Sequence, residues 1–546
     1  MTVDTVDMPN DPRPVLWPRH WDRWLLWGVA FLFDLALVMR LWDLGRHPFP
    51  VFDEVYFPNN AKDYLDGKTV FDAHPPLGKY FIVVSILLFG RNETGYRFVT
   101  AVFGALIPVL VAGVMYRLTY RRGLALLAGG LVITDGLFLV ESRYGLMNQF
   151  LVAFGFAAQI FLLAGLERQG WQRFGLLSCS GLMLGAAAAV KWNGLWFAFM
   201  FALLGVLVWA VAGYARLFWS LGGIMALLGL LKFTPLLAGV KVLGHPVWWI
   251  LCLGLVTVAA ICQWRPHWWS GYLPSLGILG EIRHLRWWHY ALCFVFMPLL
   301  IYTVQWIPHL WLNPQAGIPV AHAPWVVFTK NFWQSFKLVH QAVLSVHTGS
   351  NLIVTDETPV HPYCSTSLRS LGQIWPALKE PLSKGIWASG AWSWPILGRP
   401  VGYFFKADGN TWTDVHGLGN PLLWWFSITA VVAMSVRGIR QFQAVPAYLL
   451  IGFAANFLPW LAVSRCIFIY HYLPSAAFAF MVLAFVVYGW LIHPRREWRF
   501  LGMSVVGAII LCQIYFLPIW LGLPLESAAF YARMWFRNQV PGLNWI

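Results

Sequence analysis

Asp53 and Glu54 stand side by side in the stretch VFDEVYFPNNAKDYLDGKTVFDAHPPLGKYF, which also carries Asp63, Asp66, Asp72 and His74 and follows an apolar run. A carboxylate can take the proton of a weak nucleophile such as a hydroxyl if it lies within hydrogen-bond reach. Adjacent residues point their side chains apart, so this pair does not make the two facing carboxylates of a glycosidase. His74 precedes two prolines, which set a rigid extended turn rather than a helix interior. A basic residue, Arg97, opens the next apolar run. An ionisable group near a membrane is expensive and points to function. No Asp-x-Asp pattern of the kind that holds a metal for nucleotide sugars occurs. No metal or other cofactor is therefore required, although Asp53 and Glu54 can bind a divalent ion adventitiously.

The elements that position these residues are membrane helices. The chain has 546 residues, 59% hydrophobic and 11% charged, whereas soluble domains carry about a quarter charged residues. Apolar runs of about twenty residues recur, which sets the class as an all-α polytopic membrane protein. The net charge of +15 sits in short loops between those runs. That distribution fits the positive-inside bias and speaks against nucleic acid as a partner. Seven cysteines, mostly inside apolar runs, show no paired spacing, so neither a disulfide framework nor a zinc site is expected. The polar, Pro-rich start lacks the pattern of a signal peptide, and the first helix, about 24–41, is expected to be retained.

Arg13, Arg19 and Arg23 place the N-terminal segment, 1–23, in the cytosol, so the acidic loop emerges outside. The run YFIVVSILLFG is about eleven residues long, too short for a core of about 30 Å. If it crossed, Arg117, Arg121 and Arg122 would fall outside, against the bias. The first outer loop therefore runs over about 45–96. About thirteen spans are expected, near 24–41, 97–117, 123–141, 149–166, 173–190, 194–213, 217–240, 246–264, 287–307, 420–436, 445–463, 468–490 and 500–521. They divide into an N-terminal module over 24–307 and a four-helix module over 420–521. Between them lies a second outer segment, 308–419, too long for an ordinary connection; residues 522–546 form an outer tail.

The ordered motifs FDEVYF…FDAHPPLGK, SRYGLMNQFL, AVKWNGL, HPYCS, SWPILGRPVGYFF and SRCIFIYHYLPS cover most of the chain. Together they resemble the protein O-mannosyltransferase family, bacterial type, without room for the sugar-binding-like MIR module of eukaryotic relatives. Two departures stand out. Many relatives carry Asp where this chain has Asn148, and about twenty-five extra residues, with Trp375, Lys379 and Lys384, fall between HPYCS and SWPILGRP.

The resemblance implies a GT-C glycosyltransferase fold and inverting transfer of mannose from a polyprenyl-phosphate-mannose donor to Ser or Thr hydroxyls of exported proteins. Asp53, with Glu54 and His74, is expected at the catalytic centre, Asp53 as the base. A phosphate leaves without an acid but needs positive charge, which the resemblance assigns to Arg97 and Lys191, with Arg143 and Arg465 next. His347, His361, Tyr363, Arg399 and His471 are candidates for the acceptor or second-loop site, His471 also for packing. Tyr403, Phe404 and Phe405 are expected as interface anchors. The enzyme is placed in the bacterial plasma membrane with its site on the outer face, among membrane lipids. Two alternatives remain: an enzyme of the same fold with a lipid or glycan acceptor, and a transporter, which would show mid-membrane charges and repeated halves.

Overall fold

The computed structural model describes residues 23–210, 219, 221–223, 225–226, 246–264, 273–312, 325–348, 391–440, 442–463, 467–540 and 543–545. It is dominated by helices that are apolar on every side, as spans in lipid must be, since lipid offers no partner to a free backbone group. In chain order the N-terminal module contains α1 (Arg23–Leu41), α2 (Phe57–Leu65), α3 (Leu77–Phe89), α4 (Glu93–Thr119), α5 (Arg122–Ile133), α6 (Gly136–Arg143), α7 (Asn148–Leu166), α8 (Gly170–Val190) and α9 (Leu195–Trp209). Among the described residues ten helices are long and apolar enough to cross a membrane, or eleven if a bent pair counts as one span.

That pair is α5 and α6, where a single span over 123–141 was expected; the two meet at 63°. The cause is Asp135 in the middle of an apolar run. Its carboxylate caps α6 by accepting the Phe138 N–H at 3.0 Å. It also accepts the Asn420 N–H at 3.0 Å and the Trp424 indole N–H at 2.6 Å. A helix break thus becomes the joint between the two membrane modules. The other two of the thirteen expected spans fall on 217–264, where residues 227–245 lie outside the described residues and Trp248–Ile261 is among the shorter apolar helices.

α3 has 13 residues, about 20 Å at 1.5 Å per residue, short of a hydrocarbon core of about 30 Å. It folds back on α4 through Ser85, whose hydroxyl donates to the Gly95 carbonyl at 2.5 Å and accepts the Val99 N–H at 3.0 Å. A Cβ at Gly95 would lie 2.0 Å from the Gly90 carbonyl oxygen, so this corner needs a glycine. Asn92 caps α4 by accepting the Gly95 N–H at 2.8 Å.

Within 308–419 a helix spans Trp325–Thr348, and β1 (Val401–Asp408) pairs antiparallel with β2 (Thr411–Gly417). Trp375, Lys379 and Lys384 lie outside the described residues. The 522–546 tail does not stand apart. Its Pro524–Glu526, β3, adds to β2, and the buried Trp545 indole donates to the Leu397 carbonyl at 2.8 Å.

Candidate active site

The carboxylates of Asp53 and Glu54 diverge, as adjacency predicts, and meet opposite fates. Both lie on the 3-10 turn Phe52–Val55. Glu54 is fully buried and accepts four hydrogen bonds. Two come from Arg97, Nε at 2.8 Å and Nη2 at 2.7 Å. The others are the Val51 N–H at 2.8 Å and the Gly145 N–H at 2.6 Å. With four bonds accepted, Glu54 fixes the turn to Arg97 and to the Gly145 backbone.

Arg97, expected at a phosphate, is equally committed to groups of the protein itself. Nη1 donates to the Leu44 and His47 carbonyls, both at 3.0 Å, and Nη2 to Phe49 at 3.0 Å. With the two bonds to Glu54, all five N–H groups are used, and the side chain is fully buried. The Tyr144 and Tyr96 rings lie 4.9 and 5.5 Å from its guanidinium carbon. Arg143 is tied to backbone carbonyls through its terminal nitrogens, while its buried Nε has no hydrogen-bond partner among the described residues. Its Nη1 takes the carbonyls of Met39, Arg40 and Trp42 at 3.0, 3.0 and 2.7 Å, closing the C-terminal end of α1. Both arginines hold the membrane helix and the acidic loop together.

Asp53 is half-buried instead. Burial pushes its pKa above the ordinary carboxylate value, Lys191 pulls it back down and Asp72 pushes it further up. A desolvated carboxylate of this kind is a stronger base than one in water. Lys191 is buried at the C-terminal end of α8, in extended conformation, with its Nζ 5.7 Å from the Phe57 ring and 5.4 Å from the Tyr470 ring.

The FDAHPPLGK motif folds as one unit. Lys79 Nζ bonds Asp72 at 2.8 Å and the His74 carbonyl at 2.9 Å, while the His74 N–H donates to Asp72 at 3.1 Å. The prolines remove competing N–H donors and the lysine closes the turn. The His74 ring centre sits 6.2 Å from that of Phe57, on the helix following Asp53.

Two buried residues beside these groups escape the sequence reading. Glu141, on α6, is fully buried and lies in the field of both Lys191 and Asp53. One of its oxygens accepts the Tyr403 hydroxyl, the other the Asn148 side-chain N–H at 2.8 Å. The departure at position 148 thus has a physical partner, since an aspartate there would face a second carboxylate. Tyr403, expected as an interface anchor, is buried. Its ring stacks on Phe52 with centres 4.4 Å apart and planes 11° apart. The available signal was Glu141 itself, a carboxylate within an apolar run.

His471 sits among Trp394, Trp460 and Tyr470, with ring centres at 6.2, 4.3 and 4.6 Å, and packs there. Arg399 is half-buried just before β1. His361, Tyr363 and Arg465 lie outside the described residues, as does the side chain of His347. No group of three or more His, Cys, Asp or Glu residues able to hold a metal occurs among the described residues.

Comparison with known proteins bears on the family and the fold. Residues 30–95 and 85–251 match the family of dolichyl-phosphate-mannose-protein mannosyltransferases. Residues 373–539 match the C-terminal four-transmembrane region of protein-O-mannosyltransferase. The polyprenol-phosphate-mannose–protein mannosyltransferase of Mycolicibacterium smegmatis is 24% identical over 600 residues, covering 96% of this chain and 95% of that protein. Its namesake from Mycobacterium tuberculosis is 26% identical over 576 residues, covering 94% and 91%. Among solved structures, the Saccharomyces cerevisiae protein O-mannosyltransferase Pmt1-Pmt2 complex bound to the sugar donor superposes with a TM-score of 0.62. That match covers 96% of this chain and 94% of the other at 14% identity, which establishes the shared GT-C fold. With both halves of the family's sequence pattern present in order, the chain belongs to the protein O-mannosyltransferase family.

Proposed function

We propose that this chain transfers mannose, with inversion, from a polyprenyl-phosphate-mannose donor to Ser and Thr hydroxyls of exported proteins. The observation that carries the reading is geometric: Lys191 Nζ lies 5.7 Å from the ring of Phe57, on the helix following Asp53, and 5.4 Å from that of Tyr470, which meets Phe52, the residue before Asp53. Asp53 takes the hydroxyl proton as the acceptor oxygen bonds to the anomeric carbon. The bond from that carbon to the phosphate oxygen breaks on the opposite face. Lys191 balances the charge that grows on the departing lipid phosphate. A phosphate is a good leaving group, so no acid is called for.

The basic inner loops support a cytosolic N-terminus and a site on the outer face of a bacterial plasma membrane. The polyprenyl tail stays in lipid, so the sugar meets acceptors at the membrane surface, in extended segments not yet folded. The test is full-length enzyme with labelled lipid-linked mannose and a Ser/Thr peptide. Asp53→Asn is expected to abolish transfer while donor binding stays near normal, and undiminished turnover would remove Asp53 from the base role.

A further inference from the structure

Phe52, the residue immediately before Asp53, has φ of 53°, in the left-handed region that a bulky L-residue avoids. A strained turn persists only where its surroundings over-determine it. Glu54 and Arg97 hold the turn from below. From the other side the Phe52 ring is held by aromatic groups. Tyr403 stacks on it at 4.4 Å, while Phe468 and Tyr470 meet it edge-on at 6.3 and 6.1 Å.

Tyr403 is the member of this clamp that comes from the second outer segment. The register of β1 against β2 shifts between Gly402 and Phe404, so Tyr403 occupies a β-bulge. Bulges re-aim a side chain. Here the phenol is carried to Glu141 on α6, itself held by Asn148 at 2.8 Å. A contact path therefore runs from the membrane helices through Glu141 and Tyr403 to Phe52 and the adjoining Asp53.

We propose that Tyr403, fixed by Glu141 and Asn148, is a positioning residue for Asp53: it docks the outer hairpin onto the left-handed turn that carries the base. The proposal rests on Asp53 being that base, and it adds that the two outer segments must be locked together before the base is aligned. Misplacing a catalytic group by about 1 Å costs about a hundredfold in rate.

The experiment uses the full-length enzyme in detergent, with transfer kinetics, binding of a non-transferable donor analogue, and hydrogen–deuterium exchange. Tyr403→Leu is expected to lower kcat about a hundredfold while analogue affinity stays within twofold. The Glu54 and Tyr56 amides, bonded to Val51 and Asp53 carbonyls, should exchange about tenfold faster, and the helix Leu473–Leu491 unchanged. Tyr403→Phe keeps the ring and loses the hydroxyl, so it should fall between wild type and Tyr403→Leu. Asn148→Asp sets two carboxylates face to face and should slow turnover at least about tenfold. Adding Glu141→Gln restores a carboxylate–amide pair with the ends exchanged, and should return kcat to within about threefold of wild type.

Wild-type turnover or unchanged exchange in Tyr403→Leu would overturn the proposal. So would a double variant no faster than Asn148→Asp. Full activity of Asp53→Asn would instead bring down the base reading itself, whatever Tyr403→Leu does to the exchange of the turn.

Discussion

Arg97→Lys separates a positioning role from a phosphate-binding role. The substitution keeps the charge beside Glu54 but replaces five N–H donors in a planar fork by three on one nitrogen. Five acceptors depend on Arg97: the carbonyls of Leu44, His47 and Phe49, and the two Glu54 oxygens. Lysine can serve at most three of them, so at least two buried acceptors lose a donor, at about 1–3 kcal/mol each. The expected destabilisation is therefore about 2–6 kcal/mol, large beside the stability of an ordinary domain. The assay is thermal unfolding of the detergent-solubilised enzyme, read by fluorescence and size exclusion, alongside donor-analogue binding by the molecules that remain folded. The thermal midpoint should fall by several degrees, with analogue affinity per folded molecule within about threefold of wild type. An unchanged midpoint with tenfold weaker binding would refute the reasoning and return Arg97 to the phosphate.

Four further outcomes are expected. Lys191→Gln should weaken binding of a non-transferable donor analogue by about tenfold or more, since a charge-assisted contact is worth about 1.5–3 kcal/mol, and a titration measures it. Because burial raises the Asp53 pKa, the protonated, inactive form accumulates at a higher pH than for an ordinary carboxylate. Transfer should thus decline as pH falls through that raised value, and a pH–rate profile of kcat/KM records the limb. The same shift means that the native fold disfavours the Asp53 charge, so Asp53→Asn should leave the thermal midpoint at neutral pH unchanged or higher. Finally, a cysteine at position 59 and one at position 93, in a background stripped of native cysteines, should both react with an impermeant reagent in intact cells. Protection of position 93 alone would mean that α3 crosses.

The sequence makes Asp53, His74 and Lys191 conspicuous because each sits in a motif with a local reason. Lys79 closes the turn around His74, and Lys191 ends a helix with a backbone break. Long-range partnerships leave no such trace. Glu54 and Arg97 meet across 43 residues, and nothing local says that every donor of Arg97 is taken. Apolar periodicity likewise places a helix over 123–141, yet the bend at Asp135 depends on Asn420 and Trp424, nearly three hundred residues away. Glu141 was readable in principle, as a charge where lipid or protein interior would reject one. Its partner Tyr403 was not, because the bulge that aims it arises only when β1 pairs with β2.

The pairing of β3 with β2 sets an order on biosynthesis. Thr411, Trp412 and Thr413 find their partners in Glu526, Leu525 and Pro524, and these leave the ribosome only after Arg496–Trp520, the last described membrane helix, has been made. The hairpin that bears Tyr403 is synthesised before that helix exists, and must wait with its β2 edge unpaired. A nascent chain carrying every residue of the acidic loop is therefore still an unfinished catalyst. Its three-stranded sheet closes only once the final helix and residues 524–526 have been made.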